Sequence, residues 1–492
     1  MQYKWKTLSV TSVGSLMAAV DSTVVLLALL PIAGELHSDY VEMVWIVIAY
    51  ILVNTAFVLS LGRIGDMYGR KRMYNLGFAV FTAGSVLCGM SVNALMLIAF
   101  RAVQGFGAAL LTANSFAILS EAFPAQERGR AFGLNSIVWG VGSITGIVLG
   151  GLVITFTTWR LIFWINLPVG IFGTYWAYRA LHPSARAAKN ETFDLPAAVF
   201  FTLGLLFLLL AVTWGLLNSW TDPLVYLFFA ATPVALAAFV VWEVKYSNDP
   251  IVDFSMFRNR VFTLSITTAS IQSLALFAVD FLLVFYLEGI KGLDILTASY
   301  LIVPMAAMVS ITGPFGGMLS DRIGARIVAT LGLAVQAAVL LFFSFFLTTA
   351  TPLLDIGIAE AVYGIGGGLF WPANTSTIMS AAPPRQYGVA SGVMNTFRNT
   401  GMVMSFALAL VAATSVIPAT IVYDLFIGKF TGSLPSDLAA AYLTGQSFAF
   451  EVSVALLAVA AVISMVRGKL PAYAPASVET AAASAADGEG KD

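Results

Sequence analysis

Chemistry-bearing side chains are scarce in this sequence. Among 492 residues there is one cysteine, Cys88, and there are two histidines, His37 and His182. A lone cysteine excludes a disulfide within the chain, and its apolar surroundings argue against redox or metal work. Both histidines fall in loops and no His-Glu-x-x-His pattern is present, so no metal site is expected. Missing too is Gly-x-x-x-x-Gly-Lys-Ser/Thr, the phosphate-cradling loop of nucleotide-driven pumps. Charge is the third shortage. Only 10% of residues are charged, where a soluble domain has about a quarter. The net charge is −1, so nothing invites nucleic acid. Neither an enzyme nor a cofactor-dependent protein is expected.

What remains is apolar. The chain is 59% hydrophobic, with a mean hydropathy of +0.88. A membrane helix needs about 20 mostly apolar residues. By that criterion the predicted spans are 8–30, 43–61, 74–92, 95–119, 131–153, 161–179, 196–216, 224–242, 262–286, 298–319, 327–348, 354–379, 388–413 and 447–466. Lys4 and Lys6 precede the first run, but it is long and another follows at once, so it is read as a retained span rather than a signal peptide. With both termini inside, twenty of the 25 basic residues fall on inner segments, three outside, and two, Arg101 and Arg398, within spans. That bias predicts fourteen spans with cytoplasmic termini. Segment 414–446 is long for a loop and is expected to carry local helix near Leu438–Tyr442.

The chain also repeats itself. Gly62-Arg63-Ile64-Gly65-Asp66-Met67-Tyr68-Gly69-Arg70-Lys71-Arg72 reads as a tight basic turn between two spans. Gly317–Arg326 is a second copy, with Asp321 in the place of Asp66 and Arg322 beside it, 255 residues on. Arg101–Gly107 aligns with Glu360–Gly366, and Gly133 and Gly142 with Gly392 and Gly401, at a spacing of 259. Two matched halves predict parallel duplication with a substrate path between them. The expected organisation is an all-α membrane protein. A six-helix bundle spans 1–182, two inserted helices 183–255, a second six-helix bundle 256–470, and a disordered cytoplasmic tail 471–492.

These motifs resemble the major facilitator superfamily, and within it the fourteen-span drug:H⁺ antiporter group. Gly62–Arg72 matches the superfamily's loop motif, and Arg101–Gly107 the span-4 motif with its buried arginine. Gly133, Gly142, Gly146, Gly150 and Gly151 resemble the span-5 antiporter motif, and Asp21–Val25 the first-span motif. Trp159-Arg160 and Asn166-Leu167-Pro168 resemble the start of span 6. Two positions depart: Ile147 stands where proline is usual, and Leu26 where asparagine is usual. The resemblance implies a proton-coupled exporter of hydrophobic, cationic drugs across the cytoplasmic membrane. It would be driven by the proton gradient with no cofactor and act as a monomer. A uniporter or symporter on the same scaffold is the alternative, because fold does not settle substrate.

Ionisable residues within spans are the candidates for chemistry, since a charge at the bilayer centre costs several kcal/mol. Asp21, near the middle of span 1, can shed its charge by taking up a proton or pair with a cationic substrate; a hydrogen-bonded structural carboxylate is the plainer reading. Arg101 cannot deprotonate and needs a buried partner. Glu360, its repeat-mate, and Asp280 are secondary proton or cation sites. Arg398 reads as a structural polar contact, and Asp355 and Glu288 as solvated. Asp66 is expected to cap a helix or pair with a basic residue as part of an inner gate with Gly62, Gly69, Arg70, Lys71 and Arg72. Gly142, Gly146 and Gly150 form a smooth helical face, expected to meet the other half. For the substrate path the candidates are Gln104, Asn135, Trp139, Gln272, Phe281, Phe370, Trp371, Asn374 and Asn395. Aromatic rings beside acids suit lipophilic cations.

Overall fold

A segment that leaves water must satisfy its backbone amides and carbonyls internally, and a continuous helix does so residue by residue. The computed structural model describes residues 2–183, 191–414, 418, 421 and 434–468, and their regular structure is helical throughout. In chain order the helices are α1 (Tyr3–Leu36), α2 (Tyr40–Tyr68), α3 (Arg70–Gly89), α4 (Ala94–Ala122) and α5 (Arg128–Phe156). Two short pieces follow, α6 (Arg160–Trp164) and α7 (Asn166–Ala180), then α8 (Leu195–Leu217) and α9 (Pro223–Lys245). The last six are α10 (Arg260–Phe285), α11 (Ile295–Ile323), α12 (Ala325–Phe346), α13 (Leu353–Ala381), α14 (Tyr387–Thr414) and α15 (Ser436–Val466). Among the described residues, eleven stretches are long and apolar enough to cross a membrane.

Every predicted apolar run carries a helix, with three corrections. The sixth run is split at Ile165. The fourteenth begins at Ser436 rather than 447, so Leu438–Tyr442 is its start and not a separate outer piece. The glycine-rich segment is not a loop, because α2 continues through Tyr68 and α3 begins at Arg70. Only Gly69 leaves the helix, at φ 102°, and Gly324 does the same between α11 and α12 at φ 98°. Both occupy a region open to glycine and costly for other residues. Gly62 serves contact instead: a Cβ there would collide with the Gly388 backbone. The expected tail, 471–492, lies outside the described residues.

α3 packs against α4 and α7, α2 against α4, and α1 against α4, α5 and α7. In the later part, α11 and α12 flank α13, α12 packs on α15, and α10 packs on α14 and α15. The two groups meet where α5 crosses α11 and where α2 crosses α14. α8 and α9 pair with each other, and α8 touches both α2 and α14. Apolar side chains fill each group, around Phe78 and Phe81 in one and Phe343 and Phe450 in the other. A further cluster, with Phe123, Phe132, Phe262 and Tyr387, joins the groups near the end where the arginines gather. That end is the basic end below.

Candidate functional site

Asp21 and Arg101, reached separately from sequence, form one site. Asp21 is 0% exposed and Arg101 is 2% exposed. An Arg101 guanidinium nitrogen lies 2.8 Å from Asp21 Oδ2. Gln104 donates to Asp21 Oδ1 at 2.7 Å and Asn166 at 3.3 Å. Arg101 also donates to the Gln104 carbonyl oxygen at 2.7 Å and to the Ile46 backbone oxygen at 3.1 Å, and lies over the Tyr50 ring at 4.4 Å. Helical spacing makes the arrangement: Arg101 and Gln104 are three residues apart and share a face of α4. Asn166, placed by the break between α6 and α7, also donates to Ser85 at 3.0 Å. An ion pair this closed repays the cost of burial only because its remaining hydrogen-bonding groups are answered. Gln104 thus has both ends of its amide engaged, by Asp21 and by Arg101. The cation preference expected from Asp21 loses its support, because Arg101 already neutralises that carboxylate.

Asp66 and Asp321 latch the basic end. Asp66, on the last turn of α2, accepts from the backbone amides of Gly388 at 2.9 Å and Val389 at 3.0 Å, in the first turn of α14. It also pairs with Arg70 at 2.8 Å. Asp321, on the last turn of α11, accepts from Gly129 at 3.0 Å and Arg130 at 2.9 Å, in the first turn of α5. Helix N-termini carry unsatisfied amides and a partial positive charge, so each carboxylate finds ready-made donors. Arg70 continues to the Pro384 backbone oxygen at 2.8 Å and to Glu121 at 3.0 Å. Arg128, one of the basic residues counted on inner segments, is 7% exposed and donates to the Tyr387 hydroxyl at 2.6 Å and the Met379 backbone oxygen at 3.3 Å. Lys71 donates to the Leu181 backbone oxygen at 2.6 Å. A cleft of about 940 Å³ opens beside this latch, bordered by Arg63, Asp66, Glu121, Arg128 and Tyr387. No residue expected on the substrate path borders it.

The glycines of α5 divide between two neighbours. Gly133 and Gly140 approach α11, so α5 does face a helix of the other group. Gly142 and Gly146 approach Ala19 and Val20 of α1, in its own group. The expectation that this last face meets the other half is corrected. Gly140 and Gly142 are two residues apart, about 200° around a helix, and cannot share a face. Gly150 is buried, and a Cβ at Gly151 would meet nothing within 4 Å.

Most of the expected substrate residues are taken up by packing. Asn374 is 0% exposed, donating to the Ser265 backbone oxygen and accepting from Arg467 at 2.6 Å. Gln272 donates to Gln336 at 3.4 Å, and Asn395 to the Ser391 backbone oxygen one turn earlier at 2.9 Å. Asn135 is buried seven residues before Gly142, on the face turned to α1. Phe370 is 0% exposed in the core, edge-on to Trp371. Trp139 and Trp371 remain half-buried, and the Arg398 guanidinium lies 5.5 Å from the Trp371 ring centre. Glu360 is 0% exposed on α13. The side chains of Asp280 and Phe281, on α10, lie outside the described residues.

Three residues gained importance that sequence had not given them. Arg467, counted as an inner-loop charge, is 1% exposed between α10 and α13. Glu288, expected in solvent, is 8% exposed in a single π-helical turn, Tyr286–Ile290, and burial together with nearby Asp294 pushes its carboxyl up to about 7. Asp355 is exposed, as expected. Glu35 closes the end opposite the latch by pairing with Arg160 and accepting from Trp159 at 2.7 Å. The Arg160 hydrogen bond holds its carboxyl below the usual range.

Comparison with known proteins then places this geometry. A family model described as Major Facilitator Superfamily matches residues 11–406. The riboflavin transporter RibZ of Clostridioides difficile is 32% identical over 424 residues, covering 86% of this chain and 90% of that protein. The multidrug resistance protein Stp of Mycobacterium tuberculosis is 32% identical over 407 residues, covering 82% of this chain and 74% of that one. Among solved structures, the proton:xylose symporter XylE superposes with a TM-score of 0.60 at 12% identity, over 94% of each chain.

Proposed function

The chain belongs to the Major Facilitator Superfamily, and from that premise we propose that it is a proton-coupled exporter of hydrophobic small molecules. In this reading fourteen spans form two six-helix halves, 1–182 and 256–470, with 183–255 inserted between them. The basic end and both termini face the cytoplasm, in keeping with the positive-inside bias. Multidrug resistance is what the name of the relative Stp states, and export is the reading preferred for this chain.

The paired latch carries the proposal. Asp66 and Asp321 each hold the first amides of a helix in the other half, and rocking of one half against the other would break both at once. With the latch made, the cytoplasmic side is shut. A cycle needs a second state in which it is broken, and a switch between the two. Asp21 supplies the switch. A proton on its carboxylate would cancel the attraction that holds Arg101, so protonation and ion pairing exclude one another. The proton thus competes with Arg101 rather than directly with cargo. Glu360, buried on the matching helix of the other half, is the second candidate acid.

One observation favours the uniporter or symporter reading: the Asp21 carboxylate is fully enclosed by Arg101, Gln104 and Asn166. Reconstitution decides between them. In proteoliposomes with an imposed pH gradient, dye efflux from the wild type should follow the gradient, and Asp21→Asn should abolish that response. A flux indifferent to the gradient, or an unaltered variant, would select the uniporter.

A further inference from the structure

Resting on that exporter reading, we propose that Arg398 and Trp371 form the binding site for the anionic group of a planar aromatic substrate, making amphiphilic organic anions the preferred cargo. Position comes first. Arg398 is eleven residues past the start of α14, about 16 Å along the axis and so near the middle of a bilayer about 30 Å thick. Ser391, seven residues earlier, lies on the same stripe two turns away. Its hydroxyl donates to the Thr112 backbone oxygen of α4 at 3.2 Å, so this stripe faces the other half. Arg398 sits on that stripe two turns further along α14, where we place the substrate path.

The duplication locates the same spot independently. At the repeat spacing of 259, the mate of Arg398 is Trp139 on α5. On α5, Gly133 faces α11, Gly142 faces α1, and Val141, Val148 and Leu152 are exposed. Trp139 lies between the two packed stripes on the side opposite those exposed residues. On α14, Gly392 faces α2 and Gly401 faces α10, and Arg398 lies between them in the matching place. One half therefore presents an aromatic ring to the path and the other presents a guanidinium.

Chemistry then selects the ligand. Arginine keeps its charge, and a charge at this depth is costly unless answered. Five other arginines buried among the described residues each reach a side-chain oxygen: Arg101 on Asp21, Arg70 on Asp66, Arg63 on Glu191, Arg128 on Tyr387 and Arg467 on Asn374, with one Arg467 nitrogen left unanswered. Arg398 is half-buried and makes no ion pair with any described residue. Glu360 shares a face of α13 with Trp371 but stands eleven residues away, about 16 Å along the axis. The Trp371 ring steadies one face of the guanidinium. The N–H fork remains for a planar, bidentate acceptor such as a carboxylate, with the two tryptophans beside the attached ring system.

Two dyes with one xanthene ring system and opposite charge make the test: fluorescein, an anion, and rhodamine 6G, a cation. Binding to the purified full-length protein is read by fluorescence anisotropy at mildly alkaline pH, with no gradient. Wild type should bind fluorescein more tightly than rhodamine 6G. Arg398→Gln should shift the ratio of the two affinities by about tenfold or more toward rhodamine 6G, and Arg398→Lys by less, since it keeps charge but loses the fork. A wild-type preference for rhodamine 6G, no measurable fluorescein binding, or equal losses for both dyes in Arg398→Gln would overturn the assignment. Should that variant not fold, as judged by size-exclusion chromatography, the wild-type preference decides alone. Because binding is read without a gradient, failure of proton-driven efflux would sink the exporter reading and leave this result untouched.

Discussion

Asp66 and Asp321, 255 residues apart, make the same contact in opposite directions across the molecule. Each spans two backbone amides of a helix start in the other half, at 2.9–3.0 Å. A charged acceptor forms hydrogen bonds roughly twice as strong as a neutral one. Asp66→Asn keeps the shape and loses the charge. We expect the population with an open basic end to rise by about tenfold or more, transport to fall, and the melting temperature to drop only modestly, because Arg70 keeps Glu121 and the Pro384 oxygen. Distances between spin labels on exposed positions of the basic end report the shift. Unchanged distances together with lost transport would mean that Asp66 acts in some other way.

The Asp21–Arg101 pair predicts strong non-additivity. Asp21→Ala strands a buried guanidinium and should cost about 3–5 kcal/mol, whereas replacing both partners with apolar residues of similar volume should cost much less. A double-mutant cycle of thermal unfolding in detergent measures the coupling. Additive losses would show that the two charges do not depend on one another.

Glycine positions on α5 should differ sharply despite their closeness. A Cβ at Gly142 would stand 2.7 Å from that of Ala19, and one at Gly133 would stand 2.9 Å from the Pro314 Cα. Gly142→Val and Gly133→Val should each destabilise by about 1–3 kcal/mol through forced separation of helices. Gly151→Ala should be neutral, since its added methyl meets open space. Melting temperatures of the three variants give the comparison, and similar losses at all three positions would refute this reading of the helix.

Glu288 gives a pH dependence. Its folded carboxyl titrates at about 7, above the ordinary value of 4.5, through burial and the nearby Asp294. The folded state therefore holds the proton more tightly, and stability falls as pH rises from the lower value through the higher one. Lys291, three residues on, donates to the Thr349 backbone oxygen and does not answer this carboxylate. Glu288→Gln should flatten the decline in melting temperature between mildly acidic and mildly alkaline pH. An unchanged slope would assign the decline to another group.

Hydropathy and the basic bias found nearly every helix, because backbone satisfaction in hydrocarbon leaves little choice. Periodicity alone could not say why Gly62 is glycine. The turn reading placed it at a chain reversal, yet only Gly69 reverses the chain and Gly62 makes room for Gly388. The site was legible in its parts. Asp21 and Arg101 stood out as charges among apolar residues, but nothing in a single sequence brings positions 21 and 101 together. Polar residues between helices were the least legible. Gln104, Asn374 and Gln272 look like cavity residues from sequence and prove to be partners for other buried side chains. Arg467 and Glu288 were misread for the converse reason: both sit at span ends, where water is the natural assumption.

The grip of α8 on both α2 and α14 has a mechanical meaning. Thr202 donates to the Ala56 backbone oxygen of α2 at 3.3 Å, while the same helix lies against α14. These are the two helices that Asp66 ties together. When that tie lets go, α8 cannot follow both neighbours, so one of its seats must slide. We therefore expect α8 and α9 to limit the travel of the two groups, and smaller side chains where α8 meets α2 and α14 should widen it.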